Sequence, residues 1–519
     1  MTYSVLFPVR MPISQNRQST EPKCFKDLNL DQVIRSILTS YKEFKLDDLY
    51  FTPLDDINTI LYRQDILRDL ENDELRDVFS TFSKTIFELN TLMNHIQELL
   101  SSQDTYKNNY LTKGRMFDFA NRYCSVVAEI MNHLTGKAIL SKGLQGIVNY
   151  LRDYQKTEKF TELKTHVEGL KNELSSVQYC MLIKNGTIRV RKYEGQSDLS
   201  IDIRDLFARF RQGDVKDYRH KLTEEPRAEH VEAAVLKLVA TCYPEVFSDL
   251  NGFCSSYLDF IDPTVAQFAR EIQFYLSWLE YIRPLKGKRL PFCYPKITSD
   301  TNHLYDLDFF DLALAASLNP GSKPVTNDFT LDNPERILVV TGPNQGGKTT
   351  YARAFGQIHY LASLGLSVPG KDASLLLFDQ IYTHFEREED LSSLNGKLQD
   401  DLERLYQILS HATSRSVIVI NEIFSSTTLS DALLLGGHMM DALIKIGCPA
   451  ICVTFIDELS TYSKETVSMM SMVEVDDPTV RTFKIVRKPP DGLAYALHIV
   501  SKYNLTYRQL CARLQNRTK

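Results

Sequence analysis

One short segment in the second half of the chain carries the clearest chemistry. Gly342-Pro343-Asn344-Gln345-Gly346-Gly347-Lys348-Thr349 fits the pattern G-x-x-x-x-G-K-[ST] without a mismatch. Glycines let such a loop curl so that its backbone N–H groups point at phosphates. Lys348 supplies a cation for the β- and γ-phosphates, and the Thr349 hydroxyl can ligate Mg²⁺. The segment therefore predicts a binding site for a nucleoside triphosphate.

The elements around this loop distinguish it from a chance match in a glycine-rich turn. Residues 336–340 read as a short buried strand, and residues 349–364 read as a helix that Gly365 stops. A strand, a phosphate loop and a helix in this order place the positive end of the helix dipole at the phosphates. The context therefore favours the functional interpretation.

A second apolar strand, Ser416–Ile420, ends in the polar pair Asn421-Glu422. We predict that Glu422 orients or deprotonates the water that attacks the γ-phosphate. Asn421 occupies the position where an Asp would normally serve Mg²⁺, so it keeps an oxygen ligand and loses the charge. The alternative interpretation is a strand that happens to end in two polar residues.

The order of apolar strands and helices predicts the fold of the C-terminal half. Strands at 336–340, 416–420 and 450–453 alternate with helical segments, a pattern typical of a parallel sheet covered on both faces. We assign 301–490 to a P-loop ATPase domain and 491–519 to a C-terminal helical dimerisation element.

The first half reads as helical, with a β insertion. Asn185-Gly186 separates two β-prone runs, which predicts a hairpin with a type I′ turn. We therefore expect a multi-domain α and α/β protein in which long coiled-coil-like arms carry a small clamp-like insertion. The expected boundaries are 1–45 for an N-terminal segment, 46–178 for the helical core and outgoing arm, 179–225 for the clamp and 226–300 for the returning arm. An a/d heptad seam on the outgoing arm consists of Phe160, Leu163, Val167, Leu170, Leu174 and Val177.

Composition limits the function classes. The chain has 519 residues, 43% of them hydrophobic and 24% charged, with a net charge of −6 and nine cysteines. No signal peptide or apolar run of membrane-spanning length is visible, so we expect a cytoplasmic protein with reduced thiols and no membrane partner. The negative net charge of the whole chain does not favour binding to nucleic acid, so any contact with DNA must come from a local basic patch.

Such a patch lies in residues 184–221, where ten Lys and Arg stand against six Asp and Glu. Basic side chains on a hairpin would bind DNA phosphates without regard to sequence and with strong salt dependence. The alternative is a solvated surface of mixed charge. The candidate DNA contacts are Lys184, Arg189, Arg191 and Lys192.

Several motifs together resemble the MutS family of mismatch-repair ATPases. Residues 341–350, which include Thr350, resemble that family's phosphate loop TGPNMGGKST. Residues 390–393 resemble the start of its DLASGRSTF segment, and 421–431 resemble DEIGRGTSTYDG. Residues 453–459 resemble ATHYFEL. The resemblance is dense from Phe309 onward and weaker in the helical part, where Arg63-Gln64 is similar to the family's core domain.

The chain also departs from these motifs. The signature glycine position holds Leu394, and the segment Phe424–Thr427 lacks both glycines and the arginine of GRGT. Phe455 replaces the His of ATH. Nucleotide binding depends mainly on the intact phosphate loop, so we expect ATP and Mg²⁺ binding to persist and hydrolysis to be slow.

The resemblance implies a homodimer formed through the ATPase domains, in which the segment 392–397, including Ser393, approaches the γ-phosphate held by the partner. It implies that ATP moves arms and clamp on duplex or branched DNA in repair or recombination. A mismatch-reading wedge of the Gly-x-Phe-Tyr-Glu type is not found, so we expect a shortened relative without classical mismatch recognition. The alternatives are a nucleotide-gated scaffold with little hydrolysis and an ATPase that acts on structured RNA or ribosomes.

Overall fold

The chain divides into two compact units. One, the helical unit, is built mainly from Glu74–Ile139 and Gln145–Arg270. The other, the sheet unit, is built from Ser4–Asp73, Leu140–Leu144 and Glu271–Lys519. A computed structural model describes residues 3–8, 20–101, 108–185, 187–196, 201, 226–319, 321–386, 396–474, 477, 480–490, 500 and 505–517.

Helices occupy most of the first half of the chain and flank the strands of the second half. Two short 3₁₀ turns lie at Lys42–Phe44 and Asp457–Thr461. The α-helices are α1 (Cys24–Asp27), α2 (Leu30–Ser40), α3 (Asp47–Phe51), α4 (Ile57–Leu70), α5 (Asp73–Ser101), α6 (Tyr110–Leu134), α7 (Lys142–Tyr154), α8 (Glu158–Ser176), α9 (Pro226–Cys242), α10 (Pro244–Ser256), α11 (Pro263–Gly287), α12 (Leu312–Ser317), α13 (Lys348–Ser363), α14 (Lys397–His411), α15 (Leu429–Ile446) and α16 (Tyr507–Arg517). In the described part of the chain, no helix is both long and apolar enough to span a membrane.

Within the ranges given above, the strands form one large sheet, one smaller sheet and two short pairs. They are β1 (Tyr179–Lys184), β2 (Thr187–Lys192), β3 (Phe292–Cys293), β4 (Lys296–Thr298), β5 (His303–Phe309), β6 (Asn327–Asp332), β7 (Ile337–Thr341), β8 (Val368–Pro369), β9 (Asp372–Leu376), β10 (Ile381–Phe385), β11 (Val417–Asn421), β12 (Ala450–Val453), β13 (Thr466–Val473) and β14 (Arg481–Arg487).

The helical unit contains the predicted heptad helix and the predicted hairpin. Helix α8 packs against α6 and α10 and buries Phe160, Leu163, Val167 and Leu170. Strands β1 and β2 pair antiparallel with Lys184 opposite Thr187, and Asn185 has φ +51°, as a type I′ turn requires. Residues 202–225 lie outside the described residues, so the arm and clamp assignments remain predictions.

The sheet unit is organised around a six-stranded sheet with the order β10-β11-β12-β7-β13-β14. The predicted strands at 336–340, 416–420 and 450–453 become β7, β11 and β12, and they pair parallel. The prediction of a wholly parallel sheet is wrong at one edge, because β14 runs antiparallel to β13. An antiparallel neighbour needs only a short connection, and only residues 474–480 separate these two strands.

Helices cover both faces of this sheet, as the apolar strands require. Helix α13 packs on β11 and β12. On the opposite face, α14 and α15 bury Leu405, Met439 and Leu443 against alternate residues of β7, β11 and β12. The core therefore lies on both sides of the strands whose carboxyl ends carry the predicted site residues.

Two parts of the sheet unit gave no signal in the sequence. A mixed sheet with the order β4-β9-β5-β6 lies outside the large sheet. In addition, the last residue of α1 and the residue that follows it contact α13. The Gln357 side chain donates to the Leu28 carbonyl at 2.8 Å, and Arg353 Nε donates to the Asp27 carbonyl at 3.0 Å. The end of α1 therefore packs against the helix that begins at the phosphate loop.

Candidate functional site

The phosphate loop connects the carboxyl end of β7 to the first turn of α13. Its backbone has φ +108° at Gly342, +59° at Gln345 and +91° at Gly347. These turns curl the chain ahead of α13, whose first N–H groups have no carbonyl partner within the helix. The geometry therefore has the two features of a phosphate site, a curled loop and a helix N-terminus.

Lys348, in the first turn of α13, is held inside this loop. Its Nζ donates to the Gly342 carbonyl at 2.8 Å, to the Pro343 carbonyl at 3.1 Å and to Asn344 Oδ1 at 3.3 Å. Burial lowers the pKa of the Lys348 ammonium, the Glu422 carboxylate raises it, and the Arg481 guanidinium lowers it further. The ammonium thus lies among three oxygen acceptors that all belong to the loop.

The polar pair Asn421-Glu422 lies at the carboxyl end of β11. Asn421 is the last residue of the strand, and its buried Oδ1 has no hydrogen-bond partner among the described residues. The Glu422 N–H donates to the Val453 carbonyl at 2.9 Å, and Glu422 has φ +56°. A non-glycine residue held at positive φ is a sparsely populated conformation that concentrates at functional sites.

A cavity of about 460 Å³ lies beside the loop, and both Lys348 and Glu422 line it. Its lining includes the phosphate-loop residues Lys348, Thr349 and Thr350 and the carboxylate Glu422. The lining also includes six apolar side chains and three further polar ones: Phe309, Phe310, Leu314, Leu318, Val325, Phe483, Asp311, Lys323 and Asn327. A cavity that combines a phosphate loop with aromatic and aliphatic side chains matches the chemistry of a nucleotide, which has anionic phosphates and an aromatic base.

The β13–β14 hairpin lies against the phosphate loop, a contact that the sequence did not predict. Ser471 Oγ donates to the Gly346 carbonyl at 2.7 Å, and a Cβ on Gly346 would lie 2.2 Å from that Oγ. A side chain at this position would displace the Ser471 hydroxyl, and its Cβ would lie only 3.0 Å from the Pro343 carbonyl oxygen. Arg481, on β14, donates from Nε to the Asn344 carbonyl at 3.1 Å.

The structure brings most of the predicted nucleotide residues together. Gln345, Gly346, Gly347, Lys348, Thr349, Thr350 and Glu422 line one cavity, while Gly342 and Pro343 contact the Lys348 ammonium. Asn421 is buried beside the cavity and does not line it. Ser393 lies outside the described residues. Periodicity could not identify the apolar lining residues, because they come from four separate segments of chain.

The four candidate DNA contacts lie on the β1–β2 hairpin of the helical unit, on both of its faces. Residues directly opposite each other in an antiparallel pair share a face. Lys184, Arg189 and Arg191 therefore lie on one face, together with Leu182. Lys192 shares the other face with Tyr179 and Met181, and its Nζ lies 5.0 Å from the centre of the Tyr243 ring. The basic face thus has three of the four predicted cations.

The sheet order, the loop after β7 and the acidic residue after β11 define the sheet unit as a P-loop nucleotide-binding domain. Residues 338–509 match the family model of MutS domain V. The resemblance to the MutS family is thereby confirmed for this part of the chain.

Curated relatives agree with this assignment. The DNA mismatch repair protein MutS of Thermotoga maritima is 29% identical over 170 residues, which is 33% of this chain and 21% of the relative. The protein of the same name from Lactobacillus delbrueckii subsp. bulgaricus is 26% identical over 260 residues, or 49% of this chain and 29% of the relative. The matched region spans less than a third of these relatives.

Proposed function

We propose that this protein is a MutS-like, ATP-dependent DNA-binding protein of DNA repair or recombination, in which a dimeric ATPase drives movement of the helical unit on DNA. The observation that carries the proposal is the intact phosphate loop, with Lys348 and Glu422 on one cavity inside a MutS domain V. The names of the relatives supply the DNA-repair context. We place the protein in the cytoplasm, in association with the nucleoid if its source is bacterial.

The cavity accounts for ATP as the ligand. The loop backbone, Lys348 and the start of α13 bind the phosphates, and the aromatic and aliphatic side chains of the lining, such as Phe310, bind the base. Asn344 and Gln345 lie on the exposed edge of the loop, where the γ-phosphate of a triphosphate meets solvent or a second subunit.

Two oxygen-bearing side chains, Thr349 on the cavity lining and Asn421 buried beside it, fit a magnesium ion. Mg²⁺ prefers oxygen ligands in octahedral geometry and is commonly held by few protein groups together with phosphates. The Thr349 hydroxyl lines the cavity, and Asn421 Oδ1 is a buried acceptor that has no hydrogen-bond partner among the described residues. Thr349 and Asn421 would therefore hold the ion, which neutralises charge on the β- and γ-phosphates when it is bound.

Glu422 is the residue we assign to water activation. Its carboxylate lines the cavity together with Lys348 and Thr349, and its backbone is fixed by the bond to Val453. A carboxylate within reach of a water can accept its proton in the transition state. We expect the rate to be modest, because Asn421 brings no charge to the metal and the exposed Phe455 has no proton-transfer group.

A dimer through the sheet unit has support in the surface of α15. Leu429 and Leu434 are 63% and 61% exposed, and Leu433 beside them is 39% exposed. Apolar side chains clustered on an exposed helix indicate an interaction surface. DNA binding has support in the basic face of the β1–β2 hairpin, where Lys184, Arg189 and Arg191 project together.

A phosphate-release assay with and without duplex or branched DNA tests this proposal. We expect slow turnover by the wild type, stimulation by DNA, and no turnover by Lys348→Ala, which removes the cation of the loop. Lys464→Ala is a matched control, since this lysine is exposed, pairs with Glu465 and does not line the cavity. Tight ATP binding by a folded Lys348→Ala protein contradicts the site assignment.

The same assay separates the proposal from a nucleotide-gated scaffold. That second candidate is favoured by Asn421 and Phe455, and it predicts ATP binding without phosphate release. A third candidate is an ATPase that acts on structured RNA or ribosomes, because phosphate contacts do not distinguish DNA from RNA. Competition between duplex DNA, branched DNA and RNA for the wild-type protein decides between these ligands.

A further inference from the structure

Arg481 brings a second positive charge to the phosphate loop. It is the first residue of β14, and its Nε donates to the backbone carbonyl of Asn344 at 3.1 Å. Lys348 donates to the side-chain oxygen of the same asparagine at 3.3 Å. Two cations from distant parts of the chain therefore bind one residue of the loop, from its backbone and from its side chain.

These two charges interact. The Arg481 guanidinium is one of the causes that lower the pKa of the Lys348 ammonium, and the Glu422 carboxylate acts in the opposite direction. Like charges at close range destabilise each other unless an anion compensates them. An anionic polyphosphate at the loop would be attracted by both cations.

The strand that carries Arg481 is fixed against the loop. Ser471 of the neighbouring strand donates to the Gly346 carbonyl at 2.7 Å. Asn327 binds β14 at two points: its Nδ2 donates to the Phe483 carbonyl at 3.2 Å, and its Oδ1 accepts from the Ile485 N–H at 2.7 Å. Phe483, two residues after Arg481, lines the cavity. Hence β14 holds both a cavity residue and a cation in place.

We propose that Arg481 is a phosphate-binding residue of the same subunit, which together with Lys348 holds the β- and γ-phosphates of the nucleotide. This inference rests on the proposed function. A guanidinium presents several N–H donors in a planar fork, so its Nε can keep the Asn344 carbonyl while its terminal nitrogens reach phosphate oxygens. The bond to Asn344 orients the fork at the loop and reduces the conformational freedom that binding removes.

The position of the contact predicts which phosphates are affected. Lysine in a phosphate loop serves the β- and γ-phosphates, and Arg481 binds the residue that Lys348 also contacts. ADP lacks the γ-phosphate, and AMP lacks both of these phosphates. Removal of the Arg481 side chain should therefore weaken the binding of ATP more than the binding of ADP, and should leave the binding of AMP unchanged.

Binding of ATP, ADP and AMP to the full chain, measured by isothermal titration calorimetry, tests the inference. We expect Arg481→Gln to weaken the binding of ATP by about tenfold, as the loss of charge-assisted hydrogen bonds implies. The binding of ADP should weaken by less, and that of AMP by less than about twofold. The ATP affinity of Arg481→Lys should lie between those of the wild type and Arg481→Gln, because lysine keeps the charge and loses the planar fork of N–H donors. Arg487→Gln is the control: the same residue type on the same strand, it pairs with Glu335 and should bind all three nucleotides as the wild type does.

Each outcome of the titrations supports or overturns the inference. Equal weakening of ATP, ADP and AMP by Arg481→Gln overturns it, because that result indicates a general distortion of the loop. Unchanged ATP affinity overturns it as well. If Arg481→Gln does not fold, Arg481→Lys gives the same comparison, and unaltered ATP affinity in that variant is the contradicting result. A wild type that binds none of the nucleotides overturns the proposed function, and the inference with it.

Discussion

At the scale of single residues, we propose that the pair Asn421-Glu422 at the carboxyl end of β11 determines whether bound ATP is turned over. Glu422 is held at φ +56° on the cavity beside Lys348. We predict that Glu422→Gln binds ATP as tightly as the wild type and loses about a hundredfold or more in turnover, because the amide cannot accept the proton of the water. ATP should then accumulate on the protein and stabilise a dimer, which light scattering after size-exclusion chromatography measures. Unchanged turnover means that another group is the base.

Asn421 offers a second residue-scale test. Its buried Oδ1 has no hydrogen-bond partner among the described residues, so a metal ion or a water would satisfy it. We predict that Asn421→Asp lowers the Mg²⁺ concentration needed for turnover and raises the rate, by up to about tenfold for each 1.4 kcal/mol that reaches the transition state. The physical reason is that a charged ligand binds the cation more strongly than a neutral one.

Asn421→Asp has a clear opposite outcome. A second carboxylate beside Glu422 adds repulsion, and a buried charge without a cation is costly. A slower variant with the same Mg²⁺ requirement contradicts our interpretation and favours the scaffold. Steady-state phosphate release titrated with Mg²⁺ distinguishes the two results.

At the scale of elements, α4 is tied to the end of the phosphate-loop helix by one buried side chain. Arg63 is 2% exposed; its Nη1 donates to the Leu364 carbonyl at 3.0 Å and its Nε to the Leu6 carbonyl at 3.2 Å. We predict that Arg63→Ala destabilises the protein by about 3 kcal/mol or more, because two buried carbonyls lose a charged donor. Differential scanning calorimetry measures the shift in unfolding temperature.

A control for this prediction lies on the same helix. Arg68 is 46% exposed in its side chain and pairs with Asp65 one turn away. Exposed ion pairs contribute about 1 kcal/mol or less, so Arg68→Ala should shift the unfolding temperature far less. Equal effects of the two substitutions contradict the structural role given to Arg63.

The basic face of the β1–β2 hairpin gives a second element-scale prediction. We expect replacement of Lys184, Arg189 and Arg191 by Gln to weaken DNA binding and to lower the slope of log affinity against log salt by about 0.9 for each phosphate that the variant no longer neutralises. Lys192→Gln should have a smaller effect, because Lys192 lies on the opposite face over the Tyr243 ring. Fluorescence anisotropy with labelled duplex, measured over a range of salt, gives both values. A salt slope that the triple variant leaves unchanged rules out this face.

Sequence predicted the elements that have strong local signals. The phosphate loop, the strands β7, β11 and β12, and the hairpin turn at Asn185 were all visible as motifs or periodicity. The sheet β4-β9-β5-β6 was not, because β4 has three residues and its partner β9 is far away in sequence. The antiparallel β14, which brings Arg481 and Phe483 to the site, was missed because its place beside the phosphate loop depends on pairing across the fold, which leaves no local pattern.

At the scale of the whole molecule, the two compact units divide the proposed work. The sheet unit contains the nucleotide site and the exposed leucines of α15, and the helical unit contains the basic hairpin face. If ATP binding in one unit controls DNA binding in the other, the two affinities must be coupled. Thermodynamic linkage then requires that DNA changes ATP affinity by the same factor.

The most direct test of this account is the affinity of the wild type and Lys348→Ala for DNA without nucleotide, with ADP and with a non-hydrolysable ATP analogue. We predict that the analogue changes the DNA affinity of the wild type by about fivefold or more, the usual size of such coupling, and that Lys348→Ala shows no change. DNA affinity of the wild type that is the same in all three states would contradict the account, and so would an unaltered response in Lys348→Ala.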